Sequence, residues 1–271
     1  MLSLPIICMI FAIIAYLTGA LYLLKHLYAK TQARPLFVWT CLAIGLICHI
    51  MNLSMKMLTP WGINYEIFNL ISFISAFVLL LGIIFSMYRP VLVLNLISAP
   101  LAITGIIVGT VFDTPNAIIR QQGIGIDTHI FLSLSAYAVL FIATIHASLI
   151  WFQNRELKKK QKRSVWVLLL PSLQTMQSLL FDLILIGFCL LTLALGFGFF
   201  TIDDFFAQHL AHKTAFSVVS WIIYGILLIG HWKFGWRGNR AIHMTLIAFF
   251  VLAVGFIGSK FVLEMLLMRG A

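Results

Sequence analysis

Histidine is the residue type in this sequence best suited to chemistry, with eight copies in a chain of 271 residues that is 62% hydrophobic and 10% charged. A neutral imidazole is far cheaper to place in an apolar setting than a charge, and it is a common metal ligand whose second nitrogen is held by a hydrogen bond. His49 lies thirteen residues beyond Leu36, where its apolar segment begins, or about 20 Å of helix. His129 opens the segment that continues from Ile130, and His212 immediately precedes one that begins near Ala215.

Paired imidazoles are a usual axial set for haem iron, so His129, His212 and His49 are candidate cofactor ligands, any two of which could serve. The alternative for each is a hydrogen-bonding cap or an interfacial anchor. His209 and His212 with Asp203 or Asp204 form a weaker candidate for a small metal site, because no cysteine or third histidine joins them. A second group comprises His146, about 25 Å along its helix from His129, together with His231 and His243. It reads either as a second haem site between His146 and His231 or as interfacial histidines beside Lys and Arg. Asp182 is the acid in the inner half of an apolar segment, where it must face the bundle or a wet cavity, with His146 or a loop cation as partner.

The elements that position these residues follow from hydropathy. About twenty apolar residues are needed for one helical span, and the sequence supplies eight such runs. They lie near residues 4–24, 36–55, 67–87, 91–112, 130–152, 179–200, 215–229 and 241–261. The expectation is an all-α polytopic membrane bundle forming a single domain over residues 1–271. Pro35, Pro60, Pro90, Pro115 and Pro171 fall between runs or at their ends, where a missing amide hydrogen is harmless. Pro100 alone sits inside one and predicts a kink. The first run has no basic residue ahead of it, so it reads as a retained helix rather than a cleaved signal.

Thirteen of the eighteen Lys and Arg residues fall on one side of this arrangement, among them Lys25, Lys30, Arg34, Arg89, Arg155, Lys158, Lys160 and Arg163. That side is predicted to be cytoplasmic, which puts both termini outside. The same count sets His49, His129 and His212 at one outer level. The longest connection, 153–177, reads as a basic cytoplasmic loop lying on membrane lipid. Trp39, Trp151, Trp232 and Trp236 fall near inner helix ends and Trp61 near an outer one, as interfacial anchors do. Lys260 and Glu264, four apart, read as a neutralising pair. Cys8, Cys41, Cys48 and Cys189 lie in apolar runs without a C-x-x-C spacing, so they read as buried small hydrophobes. No phosphate-binding loop or nucleophile elbow occurs, and nothing points to nucleic acid.

Several stretches then resemble a known family. Asp127-Thr-His129-Ile-Phe-Leu-Ser-Leu-Ser-Ala-Tyr137 resembles the outer histidine and the small-residue helix of the cytochrome c assembly family. Leu170-Pro171 with Leu179-Leu-Phe181 and Gly187-Phe188 is similar to its cytoplasmic approach to the next helix. His212-Lys213-Thr214, Trp221 and Gly235-Trp236-Arg237-Gly238 are similar to its last helix pair, and Glu66 to an acid ahead of its third helix. The resemblance runs from about Leu36 to the C-terminus and is closest to the YpjD-like inner-membrane branch.

That resemblance implies an inner-membrane protein that binds or handles haem, with His129 as a ligand and other cytochrome c biogenesis components as partners. It does not require an enzyme. The outer loop Phe200 to His212 departs from the haem-presenting members, because it contains no tryptophan. A transporter of haem or another small solute, and a regulator of haem synthesis, are the alternative readings.

Overall fold

In lipid each backbone amide must find its partner within the segment, so apolar runs of this length have one stable solution, the α-helix. The computed structural model describes residues 3–29, 31–60, 62–112, 123–159, 170–201 and 208–261, without the side chains of 201, 208–213 and 256–261. All eight predicted runs are helical there. The helices are α1 (Leu4–Tyr28), α2 (Pro35–Met57), α3 (Ile67–Tyr88), α4 (Asn95–Val111), α5 (Ile124–Leu157), α6 (Leu173–Thr201), α7 (Gln208–Phe234) and α8 (Asn239–Phe261). Seven spans, all but α8, are long and apolar enough to cross a membrane, and α8 is apolar over Asn239–Gly255. The protein is an all-α polytopic membrane bundle.

Most helices outrun their apolar segments. α5 begins at Ile124 rather than near 130, α6 at Leu173 rather than near 179, and α7 at Gln208 rather than near 215. Hydropathy marks the hydrocarbon, whereas the hydrogen-bonded ladder continues through the interface, since stopping at the hydrocarbon edge would strand four amides or carbonyls there. Three corrections follow. His129 lies in the second turn of α5 rather than at its opening, and His212 lies inside α7 rather than before it. The 153–177 loop is also shorter, because α5 runs to Leu157 and α6 starts at Leu173.

α4 is the exception, shorter than its apolar run. The extended Arg89 (φ −128°, ψ 148°) obeys the restriction imposed by Pro90. A single 3-10 turn at Leu92–Leu94 then leads into the helix. α4 continues through Pro100, which has no amide hydrogen for the Leu96 carbonyl. Between α2 and α3, Leu58–Thr59 pairs antiparallel with Gly62–Ile63.

The Trp61 anchor, Asp203, Asp204, Glu264 and the basic run Lys160, Lys162 and Arg163 lie outside the described residues, as do the side chains of His209, His212 and Lys260. The cysteines are all free, with Cys8 buried, Cys41 and Cys48 half-buried, and Cys189 exposed rather than buried as expected.

The chain divides into two compact units, one built on α1–α4 and the other on α5–α8. In the first, α1 packs on α2 and α4, and α3 on α2 and α4. Its core gathers Ala12, Tyr16, Leu42, Leu46, Leu79 and Ile106. In the second, α5 packs on α6 and α8, and α7 on α6 and α8. Lipid tails are as apolar as leucine, so helices in a membrane associate by close packing of small side chains. Ala136, Ala143 and Ala147 of α5 are accordingly fully buried. The Tyr137 hydroxyl donates to the Leu252 carbonyl and ties α5 to α8, and Ser220 joins α7 to α8 through the Ala248 carbonyl at 2.8 Å.

Candidate functional site

His129 is half-buried, and its Nδ1 lies 2.7 Å from the Ala194 carbonyl of α6. A carbonyl only accepts, so Nδ1 carries a proton, which in the neutral ring leaves the lone pair on Nε2. One turn along α6, Gly198 makes this approach possible. A Cβ at that position would lie 2.8 Å from Cε1 and 2.9 Å from Nδ1 of the imidazole, well inside ordinary contact. Hydrogen bonding from one ring nitrogen to a backbone carbonyl is the outer contact that orients a metal-ligating histidine.

Along the same half of α5 runs a groove of about 440 Å³ lined by Ile124, Asp127, Thr128, Phe131, Leu132 and Ser135. Those positions lie on one face, roughly a third of a turn around the helix from His129. The groove and the imidazole therefore look in different directions. His212 sits in the second turn of α7, and its side chain lies outside the described residues.

His49 is placed very differently. It is completely buried in the α1–α4 unit, and both its nitrogens are engaged. The Tyr16 hydroxyl of α1 lies 3.2 Å from Nδ1, and the Ser72 hydroxyl of α3 lies 2.9 Å from Nε2. One turn on, the Asn52 amide donates to the Pro5 carbonyl at 2.8 Å, and its Oδ1 accepts from the Thr110 hydroxyl of α4 at 3.2 Å. The polar pair on α2 thus binds all three neighbouring helices. Tyr16 reaches His49 because residue 45 is glycine, and a Cβ there would overlap the Tyr16 ring. Ligating a metal would require His49 to give up one of its two partners.

The inner histidines each have a backbone partner. His146 is buried and donates from Nε2 to the Met176 carbonyl at 2.9 Å. His231 donates from Nδ1 to the Trp236 carbonyl at 2.9 Å and stacks on Phe181 with 3.5 Å between centroids. Asp182, the residue after Phe181 in α6, is half-buried. His243 and His26 donate to the carbonyls of Asn239 and Tyr22, each four residues back on its own helix. These last two are satisfied locally, as the interfacial reading expects.

Among the described residues, no three His, Cys, Asp or Glu side chains converge as a metal site. Haem asks less of the protein, since one or two axial side chains suffice. Reasoning from sequence missed Ala194 and Gly198 around His129, and Tyr16, Ser72, Asn52 and Thr110 around His49. Asn52 carried a signal, being a buried-type amide three residues from a histidine within an apolar run. Gly198 carried none, because its role depends on which helix faces it.

A sequence model of the family described as cytochrome C assembly protein matches residues 39–267. The chain is 27% identical over 259 residues to the inner membrane protein YpjD of Escherichia coli K12, covering 94% of this chain and 97% of that protein. It is also 31% identical over 157 residues to an uncharacterized 28.8 kDa protein from the nifR3-like 5' region of Azospirillum brasilense, covering 56% of this chain and 58% of that one. No solved structure matches. The span matched by the family model begins within α2, includes His49, His129 and His212, and extends past the end of α8. The chain belongs to the cytochrome c assembly protein family.

Proposed function

We propose that this chain is a haem-handling protein of the inner membrane, in which His129, with His212 as its candidate partner, would hold the haem iron. Membership of the family gives it a role related to cytochrome c biogenesis. The relative named inner membrane protein YpjD, matched almost end to end, supports the location. The charge count supports an orientation with both termini, and the outer ends of α2, α5 and α7, on the non-cytoplasmic side.

One observation carries the ligand assignment. The bond from His129 Nδ1 to the Ala194 carbonyl supports the neutral tautomer whose lone pair is on Nε2, the state in which an imidazole can bind a metal. Haem, when bound, supplies a redox-active iron that accepts imidazole nitrogen. The chain's own residues bind and orient. His129 donates the nitrogen, Ala194 sets the ring, Gly198 makes room for it, and Tyr137 anchors the helix that carries it. His49 in this reading is architecture rather than ligand. His146, His231 and Asp182 are held in reserve as an inner group. The loop between α6 and α7 lacks tryptophan, which favours haem binding or an accessory role over attachment of haem to a protein.

The test is a visible spectrum. Haem added to the purified protein is expected to give the bands of a histidine-ligated haem, and His129→Ala is expected to abolish them. A wild-type protein that gives no such bands sinks the assignment, and leaves solute transport or regulation of haem synthesis as the readings to pursue.

A further inference from the structure

The junction of α1 and α2 carries an open pocket of about 430 Å³ lined by Tyr22, Arg34, Leu36, Phe37 and Thr40. One wall is aromatic, with Tyr22 packed 4.5 Å from Phe37 and 4.1 Å from His26 between ring centroids. The polar edge has donors to offer. The Tyr22 hydroxyl accepts the Arg34 backbone amide at 3.4 Å, which leaves its own proton to give. Arg34 is exposed and precedes Pro35 at the start of α2, with no side chain capping the helix. The amides of that first turn add positive partial charge.

Charge decides what such a pocket takes. No Asp or Glu occurs in the first 65 residues, whereas Lys25, Lys30 and Arg34 bracket this junction. The first carboxylate, Glu66, precedes α3, beyond the far end of the 23-residue α2, about 34 Å away along the helix. α3 then returns to end at Tyr88. Among the described residues, this end of the α1–α4 unit has cations and no carboxylate. An anion is the ligand that the charge of this junction favours. Leu36 and Phe37, 69% and 41% exposed, turn apolar surface outward beside the same cations, which asks for an anion that carries a hydrocarbon chain.

We infer that this pocket binds an anionic phospholipid, its phosphate at Arg34 and the Tyr22 hydroxyl and an acyl chain along Leu36 and Phe37. A zwitterionic lipid is disfavoured because its ammonium group would meet the cations of the junction. A basic side chain at an anionic membrane surface contributes enough attraction for its loss to weaken binding about fivefold.

The experiment uses the full-length protein in detergent, titrated separately with phosphatidylglycerol, phosphatidylcholine and inorganic phosphate, with bound lipid counted by native mass spectrometry. Phosphatidylglycerol is expected to be retained in preference to phosphatidylcholine. Arg34→Gln should weaken its retention about fivefold, while Arg237→Gln, in the turn between α7 and α8, should leave it unchanged. Equal retention of the two lipids, an Arg34→Gln variant that matches the parent, or an equal loss in Arg237→Gln would each overturn the proposal. So would inorganic phosphate that displaces the lipid at matched concentration, since it would assign the site to the headgroup alone. If Arg34→Gln does not purify as folded protein, Phe37→Ala removes the aromatic wall, and unchanged retention there overturns the proposal equally.

Discussion

One methyl group at Gly198 should be enough to disturb the candidate ligand. In Gly198→Ala the new carbon would sit 2.8 Å from Cε1 and 2.9 Å from Nδ1 of His129, against about 3.5–4.0 Å for carbon atoms in comfortable contact. Overpacking of this kind costs about 1–3 kcal/mol. Displacing the ring also breaks the bond to the Ala194 carbonyl, and interhelical hydrogen bonds in membranes average about 0.6 kcal/mol. Alanine is the better helix former by roughly 1 kcal/mol, so helix propensity alone would make the variant more stable. The clash and the lost bond outweigh it, for a net loss of about 0.6–2.6 kcal/mol. Loss of an outer contact to a ligating histidine typically weakens metal binding about 10–100-fold. Haem titration followed by visible absorbance, paired with thermal unfolding in the same detergent, measures both. Gly196→Ala is the control, because a Cβ there meets nothing within 4 Å; it should bind haem as the parent does. A Gly198→Ala protein with parental affinity and spectrum would show that the contact with Gly198 does not position His129.

Other outcomes are expected from the same contacts. Ser72→Ala leaves His49 one partner short and should lower stability by about 0.6–1.7 kcal/mol, read by denaturation in detergent, with no change in the haem spectrum. Gly45→Ala drives a methyl group into the Tyr16 ring and should cost about 1–3 kcal/mol, visible as a lower unfolding temperature. In a background without native cysteine, Ser3→Cys and Ala271→Cys should react with an impermeant thiol reagent applied to the periplasmic face, and Lys158→Cys only once the inner membrane is opened. Reaction of Lys158→Cys with that membrane intact would reverse the proposed orientation.

The helices were legible because a bilayer imposes one length and one secondary structure on an apolar run, and each of the eight runs is helical. Their ends were less legible. Glu156 and Gln153 of α5 are buried polar residues beyond the predicted end of their run, and hydropathy treats such residues as loop. His129 was recognisable by type, depth and surrounding motif. Its orientation was not, since that depends on Ala194 and Gly198 some 65 and 69 residues later. For His49 the depth suggested a ligand, whereas its burial against Tyr16 and Ser72 depends on three helix faces meeting, which no periodicity in α2 specifies. Histidines 26 and 243 were the easiest to read, because their partners lie one turn away on the same helix.

The three-helix grip on His49 has a consequence for biosynthesis. When only α1 and α2 have left the translocon, the ring can find Tyr16 but not Ser72, so the hairpin enters lipid with one imidazole nitrogen unsatisfied. Arrival of α3 supplies that partner, and α4 then closes the neighbouring contact at Asn52 through Thr110. The α1–α4 unit is thereby drawn together in the order of synthesis, each new segment docking on a polar group left waiting by the last.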